Sequence, residues 1–200
     1  AISNRLVEIA AVKFRVDSDS YEEFQTLIDP GRAIPPEATA VHGITDQMVS
    51  GAPTAEHALE QFLSFCGTES ILIAHNATFD ISFVGNEMAR AKLAFPPNLI
   101  IDTVDMFRRY VPGLASYSLI SLSRHYNLAE NQEHRGLSDA QLVRRLFCEA
   151  MGLLPPVESA ERLAEHLAVY ELSDWRPEQV ELPADYADLT AAVEHGYSVE

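Results

Sequence analysis

Two aspartates and a histidine are the residues in this 200-residue sequence whose types and spacing suit chemistry. Asp80 stands in "LIAHNATFDISFV" (72–84). The apolar run Ile71 to Ala74 reads as a buried strand, and Asn76 as the N-cap of the helix that follows. Phe83, Val84, Met88 and Ala91 recur at helical spacing and are predicted to face the core. Asp80 precedes the first two by three and four residues, so it shares their face. A carboxylate turned inward in a first helical turn needs a cap, a cation or a metal. Taken alone, Asp80 is equally well explained by the free backbone N–H groups of the helix start.

The oddity repeats in "EHRGLSDAQLVRRLFCEAM" (133–151). Val143, Leu146, Phe147 and Ala150 form the apolar stripe of a helix predicted from near Ser138, and Asp139 lies on that face at its opening turn. His134 stands five residues upstream of Asp139. Two such acids and a histidine suit a hard divalent cation. Carboxylate oxygens take Mg²⁺ or Mn²⁺, while the imidazole accepts a proton. Zinc fits less well, because no cysteine or second histidine stands at ligand spacing.

The elements that must position these groups alternate along the chain. Residues 5–16 and 21–28 read as adjacent strands joined by "DSDS", and "DPGRAIPP" (29–36) as a loop. An amphipathic helix at 54–66 leads to a strand at 71–74, then a helix at 77–93 stopped by "FPP". A strand at 98–101 runs into a helix at 102–111, capped by Asp102, which is therefore left out of the metal set. "PGLAS" breaks that helix, and another begins near Ser118. Strands followed by alternating helices and strands predict an α/β layer fold with a mixed sheet. After Met151 the composition shifts to "GLLPPVES", an acidic helix at about 158–172 and a further loop.

"AHNATFD" and "HRGLSDA" resemble the second and third motifs of the DEDDh 3′–5′ exonucleases, and among them the proofreading epsilon subunits of bacterial DNA polymerase III. "RLVEIAAVKF" (5–14), "VHGITDQMV" (41–49), "LIIDTVDMFRRY" (99–110) and "YSLISLSRHYNL" (117–128) are similar to later landmarks of that family, in its order. The resemblance spans about residues 4–152 and implies a ribonuclease-H-like fold, a mixed sheet flanked by helices. It also implies two divalent ions, Mg²⁺ or Mn²⁺, with Asp139 and Asp80 as metal ligands and His134 as the base for the attacking water. His42, Gly43, Ile44 and Asn76 are implied as substrate-binding residues. A tight turn at "HGIT" and a helix cap at Asn76 account for them nearly as well. His75 reads as a packed or rim histidine, and Phe79 and Phe83 as core. Arg108, Arg109, Arg144 and Arg145 are read as solvated pairs that could reach phosphate.

The resemblance also implies an Asp-x-Glu motif on a central strand before "RLVEIAAVKF". The chain opens with "AISN", so that motif is expected upstream of Ala1 in a longer parent protein. Without it, metal binding and cleavage are expected to be weak, and both neighbouring strands should show free edges. Glu8 is read as a buried or edge-paired structural acid and not as a replacement. The expected organisation is an exonuclease domain over 1–152 and a linker with the acidic helix over 153–183. Residues 184–200 then resemble the start of a WYL-type domain.

The net charge of −16 runs against tight nucleic-acid binding, which relies on neutralising phosphates. Residues 155–200 carry 11 acids against 2 bases, so much of the excess lies outside the catalytic segment. A polymerase or second-domain partner that helps to hold the substrate is expected. No stretch reaches the roughly 18 apolar residues of a membrane span, and the opening is not a signal peptide. Cys66 and Cys148 read as buried free thiols, which suits a reducing cytoplasm. The function implied is release of nucleoside 5′-monophosphates from DNA 3′ ends, single-stranded or frayed, in proofreading or repair. An exoribonuclease, or a catalytically incompetent nucleic-acid-binding or docking module, stands as the alternative.

Overall fold

The computed structural model describes residues 5–154, 167 and 169–171. Strands β1 (Glu8–Phe14) and β2 (Tyr21–Leu27) pair antiparallel, Glu8 opposite Leu27 and Phe14 opposite Tyr21. Then come the helices α1 (Pro36–His42), α2 (Asp46–Val49) and α3 (Ala55–Cys66). The predicted loop at 29–36 ends one residue early. Pro36 opens α1 at the first helical position, where a missing N–H costs nothing. Gly43 ends that helix at φ 71°, and its N–H donates to the Thr39 carbonyl. The Thr54 hydroxyl caps α3 through the His57 N–H.

The second half alternates as predicted: β3 (Leu72–Ala74), α4 (Ala77–Ala91), β4 (Leu99–Asp102), α5 (Thr103–Tyr110), α6 (Leu119–His125), α7 (Gly136–Met151) and β5 (Val169–Glu171). Side chains alternate across β4. Ile101 joins Phe107, Leu122, Leu146 and Phe147 in one apolar cluster, while Ile100 joins Ala58, Leu59 and Met88 in another. Ile73 and Leu72 divide in the same way on β3. The strands therefore lie between a layer of α3 and α4 and a layer of α5, α6 and α7. A third cluster, Ile34, Ala38, Ile44 and Val49, lies under the α1–α2 turn.

The strands form two sheets, β1–β2 and β3–β4–β5, the second with β3 parallel and β5 antiparallel to β4. Among the described residues β1 pairs only with β2 and β3 only with β4, so each has one free edge. Residues of both strands line a single cavity of about 1090 Å³. Helix α7 packs under both strands and bridges the halves.

Several expectations need correction. Residues 169–171, predicted as the end of an acidic helix, form β5; Val169 and Tyr170 are good strand formers, and β4 offers an edge to pair with. Leu167, also predicted helical, lies in a bend, and the rest of that helix and the segment 184–200 lie outside the described residues. Cys66 is buried, and burial pushes its thiol up to about 11, but Cys148 is exposed because it lies off the buried Leu142–Leu146–Phe147–Ala150 stripe. In α4 the buried face is Ser82, Gly85, Asn86, Glu87 and Met88, with Phe83, Val84 and Ala91 only half-buried. No helix among the described residues is long and apolar enough to cross a membrane.

Candidate active site

Helix α4 opens abruptly from the end of β3. Asn76 turns the chain at φ 65°, a left-handed conformation that asparagine tolerates. Its side chain does not cap the helix as predicted; Oδ1 instead accepts from the Thr78 hydroxyl at 3.3 Å. The cap comes from Asp102 at the end of β4. Its carboxylate accepts from the N–H groups of Asn76 (3.0 Å), Ala77 (2.8 Å) and Val104 (2.8 Å), so one side chain caps both α4 and α5. Its exclusion from the metal set on capping grounds agrees with this geometry. Burial still raises the Asp102 carboxyl against those three donors.

Asp80, four residues into α4, opens onto the cavity and not into the core. This resolves why an acid shares the face of Phe83 and Val84: that face forms the cavity wall. Although the side chain is exposed, the protein packed around it pushes its carboxyl up to about 7, with the charges of Asp102 and Asp139 adding to the shift.

Helix α7 begins two residues before the predicted start. His134 lies just ahead of it at φ 53°, and Arg135 occupies the N-cap position without a side-chain cap. Asp139, four residues beyond Arg135, is half-buried. Its Oδ2 accepts from Gln132 Nε2 at 2.9 Å, whereas its Oδ1 is buried with no hydrogen-bond partner. Burial raises this carboxyl, opposed by Gln132 and His134 and reinforced by Glu133 and Glu8. Asp80, His134 and Asp139 all line the one cavity.

Divalent ions fit this donor set in part. A buried carboxylate oxygen without a partner and a second carboxyl raised by desolvation and, less, by its acidic neighbours are what a hard cation would relieve. Among the described residues, however, no three His, Cys, Asp or Glu side chains stand close enough together to hold an ion.

The "HGIT" turn is stiffened locally. His42 Nδ1 accepts from the Ile44 N–H at 3.0 Å, and the Thr39 hydroxyl donates to the Ile44 carbonyl at 2.9 Å. Burial lowers the pKa of His42, with Glu8 opposing and Arg135 reinforcing the shift. His42 and Ile44 line the cavity. Ile44 is only 1% exposed and packs in the third apolar cluster. His75 is a packed histidine, as predicted: Nε2 donates to the Tyr117 carbonyl, Nδ1 meets Thr103 Oγ1, and burial lowers its pKa to about 4. Phe79 and Phe83, predicted as core, are half-buried in the cavity wall with ring centroids 4.7 Å apart. Of the four arginines, Arg108 and Arg144 reach the cavity, each over an aromatic ring.

Sequence reasoning missed Gln132 and Arg135, and it saw in Glu8 an acid without its partner. Glu8 interrupts the apolar run "LVEIAAV", which signals a specific partner but does not name it. Gln132 carried no signal at all.

The chain is similar to known exonucleases in sequence and in fold. The RNase_T exonuclease family model matches residues 1–147. The PolC-type DNA polymerase III of Streptococcus suis is 34% identical over 147 residues, 74% of this chain and 10% of the relative. That of Listeria innocua is 31% identical over 146 residues, 73% of this chain and again 10% of the relative. The chain thus spans about a tenth of the length of these curated relatives. Among solved structures, exonuclease X in complex with 5′-overhanging duplex DNA superposes with a TM-score of 0.65 at 29% identity, covering 83% of this chain and 93% of that one. A 3′-exonuclease recognising a histone mRNA stem-loop shares the fold, with a TM-score of 0.62 at 15% identity, over 74% of this chain and 83% of that one. The two solved structures share with this chain the ribonuclease-H-like fold, a mixed sheet flanked by helices. With the family model matching most of its length, the chain belongs to the RNase_T exonuclease family.

Proposed function

We propose that this chain is the core of a divalent-metal-dependent 3′–5′ exonuclease that releases nucleoside 5′-monophosphates from DNA 3′ ends. The observation that carries the reading is the shared cavity: the carboxyls of Asp80 and Asp139 and the imidazole of His134 open onto it, and one buried Asp139 oxygen has no partner. Asp139 and Asp80 are the ligands proposed for Mg²⁺ or Mn²⁺, and the bound ions would supply Lewis-acid stabilisation of charge at the scissile phosphate. His134 accepts the proton of the attacking water. His42, Gly43 and Ile44 form a rigid edge against which the terminal nucleotide rests, and Asn76 shapes the opposite wall. The ligand set is completed by an acidic Asp-x-Glu strand from outside the described residues. The free edges of β1 and β3, whose residues line one cavity, support assigning that strand between them.

DNA is preferred over RNA as substrate because the curated relatives are DNA polymerases, and exonuclease X was solved with duplex DNA. A host polymerase or second domain, cytoplasmic location, and a part in proofreading or repair belong to the same proposal. The test uses the full-length protein with a 3′-labelled single strand and Mn²⁺. Mononucleotide release should fall at least about 10³-fold in Asp139→Ala and about 10²-fold in His134→Ala. Release that continues unchanged in both variants removes these residues from the mechanism. A docking module remains the second reading, favoured by the lack of a closed three-ligand cluster among the described residues. Metal-independent DNA binding without product from the full-length protein would establish it.

A further inference from the structure

We infer that Glu8 is a positioning residue of the exonuclease site: its carboxylate fixes the backbone that carries His134 and starts the helix bearing Asp139. This rests on the function proposed above and adds a residue to it. Glu8 lies on β1, 127 residues from its partner. Its Oε1 accepts from Arg135 Nη2 at 2.7 Å and its Oε2 from Arg135 Nε at 3.3 Å, so the guanidinium is gripped on two sides. The same Oε2 accepts the Gly136 N–H at 2.8 Å, and Gln25 Nε2 donates to Oε1 at 2.9 Å. One side chain, only 7% exposed, thus holds the two residues that directly follow His134.

The close approach also explains Gly136. A Cβ there would lie 3.0 Å from the Ala10 Cβ and 3.2 Å from Glu8 Oε2, so any larger residue would make the helix start or β1 give by a few tenths of an ångström. His134 holds a left-handed conformation that a side chain other than glycine adopts at some cost, and such a residue persists when its surroundings over-determine it. Glu8 supplies that constraint from one side. On the other side the Asp139 N–H donates to the Arg135 carbonyl at 3.0 Å, so the clamped residue also starts the turn that aims Asp139. Glu8 lines the same cavity, and its charge reaches Asp139 and His42, but it is not among the proposed metal ligands. It acts through backbone placement, where an error of about 1 Å at a reacting group costs on the order of 100-fold in rate.

The experiment compares Glu8→Ala and Glu8→Gln in the full-length protein under the Mn²⁺ assay. Glu8→Ala should lower kcat about 10- to 100-fold with KM within about twofold, because geometry and not substrate contact is lost. Glu8→Gln keeps an acceptor for the Gly136 N–H and should recover most of that loss, which also covers the case in which the alanine variant does not fold. Amide hydrogen exchange gives a readout independent of turnover: Gly136 and Asp139 should exchange faster in Glu8→Ala, while Leu146 and Phe147 in the same helix keep their protection. The inference fails if Glu8→Ala keeps wild-type kcat and Gly136 protection, or, where alanine does not fold, if Glu8→Gln loses activity while Gly136 keeps its protection. It fails equally if exchange rises along all of α7, which marks a general loss of stability. Loss of activity in Asp139→Ala beside an unaffected Glu8→Ala would overturn this role alone and leave the proposed function standing.

Discussion

The openings of α4 and α7 solve the same problem with different chemistry. Each helix follows a left-handed residue, Asn76 or His134, and neither is capped by its own N-cap side chain. Each receives a carboxylate from a strand, Asp102 from β4 and Glu8 from β1, and each bears an aspartate four residues past its N-cap. The two carboxylates differ in what neutralises them. Burial alone would raise the pKa of Glu8, yet Arg135, Gly136 and Gln25 outweigh it and hold the carboxyl below its ordinary value of 4.5. Asp102 has three backbone N–H donors but no paired cation among the described residues, and burial leaves its carboxyl raised. A strand-borne acid can therefore anchor a helix start with or without a salt bridge, and only the paired one has its carboxyl held below its ordinary value.

Removing the anchors should separate the two ends. Asp102→Ala strands three N–H groups at two helices and is expected to cost about 3 kcal/mol, read as a lower denaturation midpoint. Glu8→Ala frees one N–H and leaves a partly solvated arginine, so about 2 kcal/mol is expected from the same titration. Equal losses would erase the distinction between a doubly used cap and a clamped one. Gly136→Ala should cost about 1 kcal/mol by pushing α7 off β1, and Glu8→Gln should couple to it because the two share one contact.

The smallest effect is a slope. Asp80 has a folded pKa of about 7 against an ordinary value of 3.8, so its contribution to stability is fully present below about 4 and lost as pH rises through 7. Glu8 runs the other way: its contribution is present above 4.5 and lost as pH falls through its lowered folded pKa. Metal-free denaturation curves from pH 4 to 8 should flatten in Asp80→Asn and stay unchanged over that window in Glu8→Gln apart from a constant offset. A slope that persists in Asp80→Asn moves the raised titration to Asp102 or Asp139.

Local sequence pattern revealed these helices and their acids because both are short-range properties. Met88 and Leu146 mark faces through a 3.6-residue period, and Asp80 and Asp139 stand out against it. The supports were hidden because they are long-range. Nothing near Glu8 names Arg135, and nothing near Asp102 shows that it caps the helix before it as well as the one after it. Asn76 misled for the same reason: a good N-cap residue stood in place, but its left-handed turn passed the task to another strand. Residues 169–171 read as helix because acidic composition says little about a free β4 edge.

The accessible Cys148 gives this molecule a practical handle. It sits on the solvent face of α7, while Cys66 is enclosed and its thiol resists ionisation. A maleimide dye applied to the native protein at neutral pH should therefore attach at one place, three turns from the helix start that Glu8 secures. Its fluorescence would report movement of that end without touching any group in the cavity.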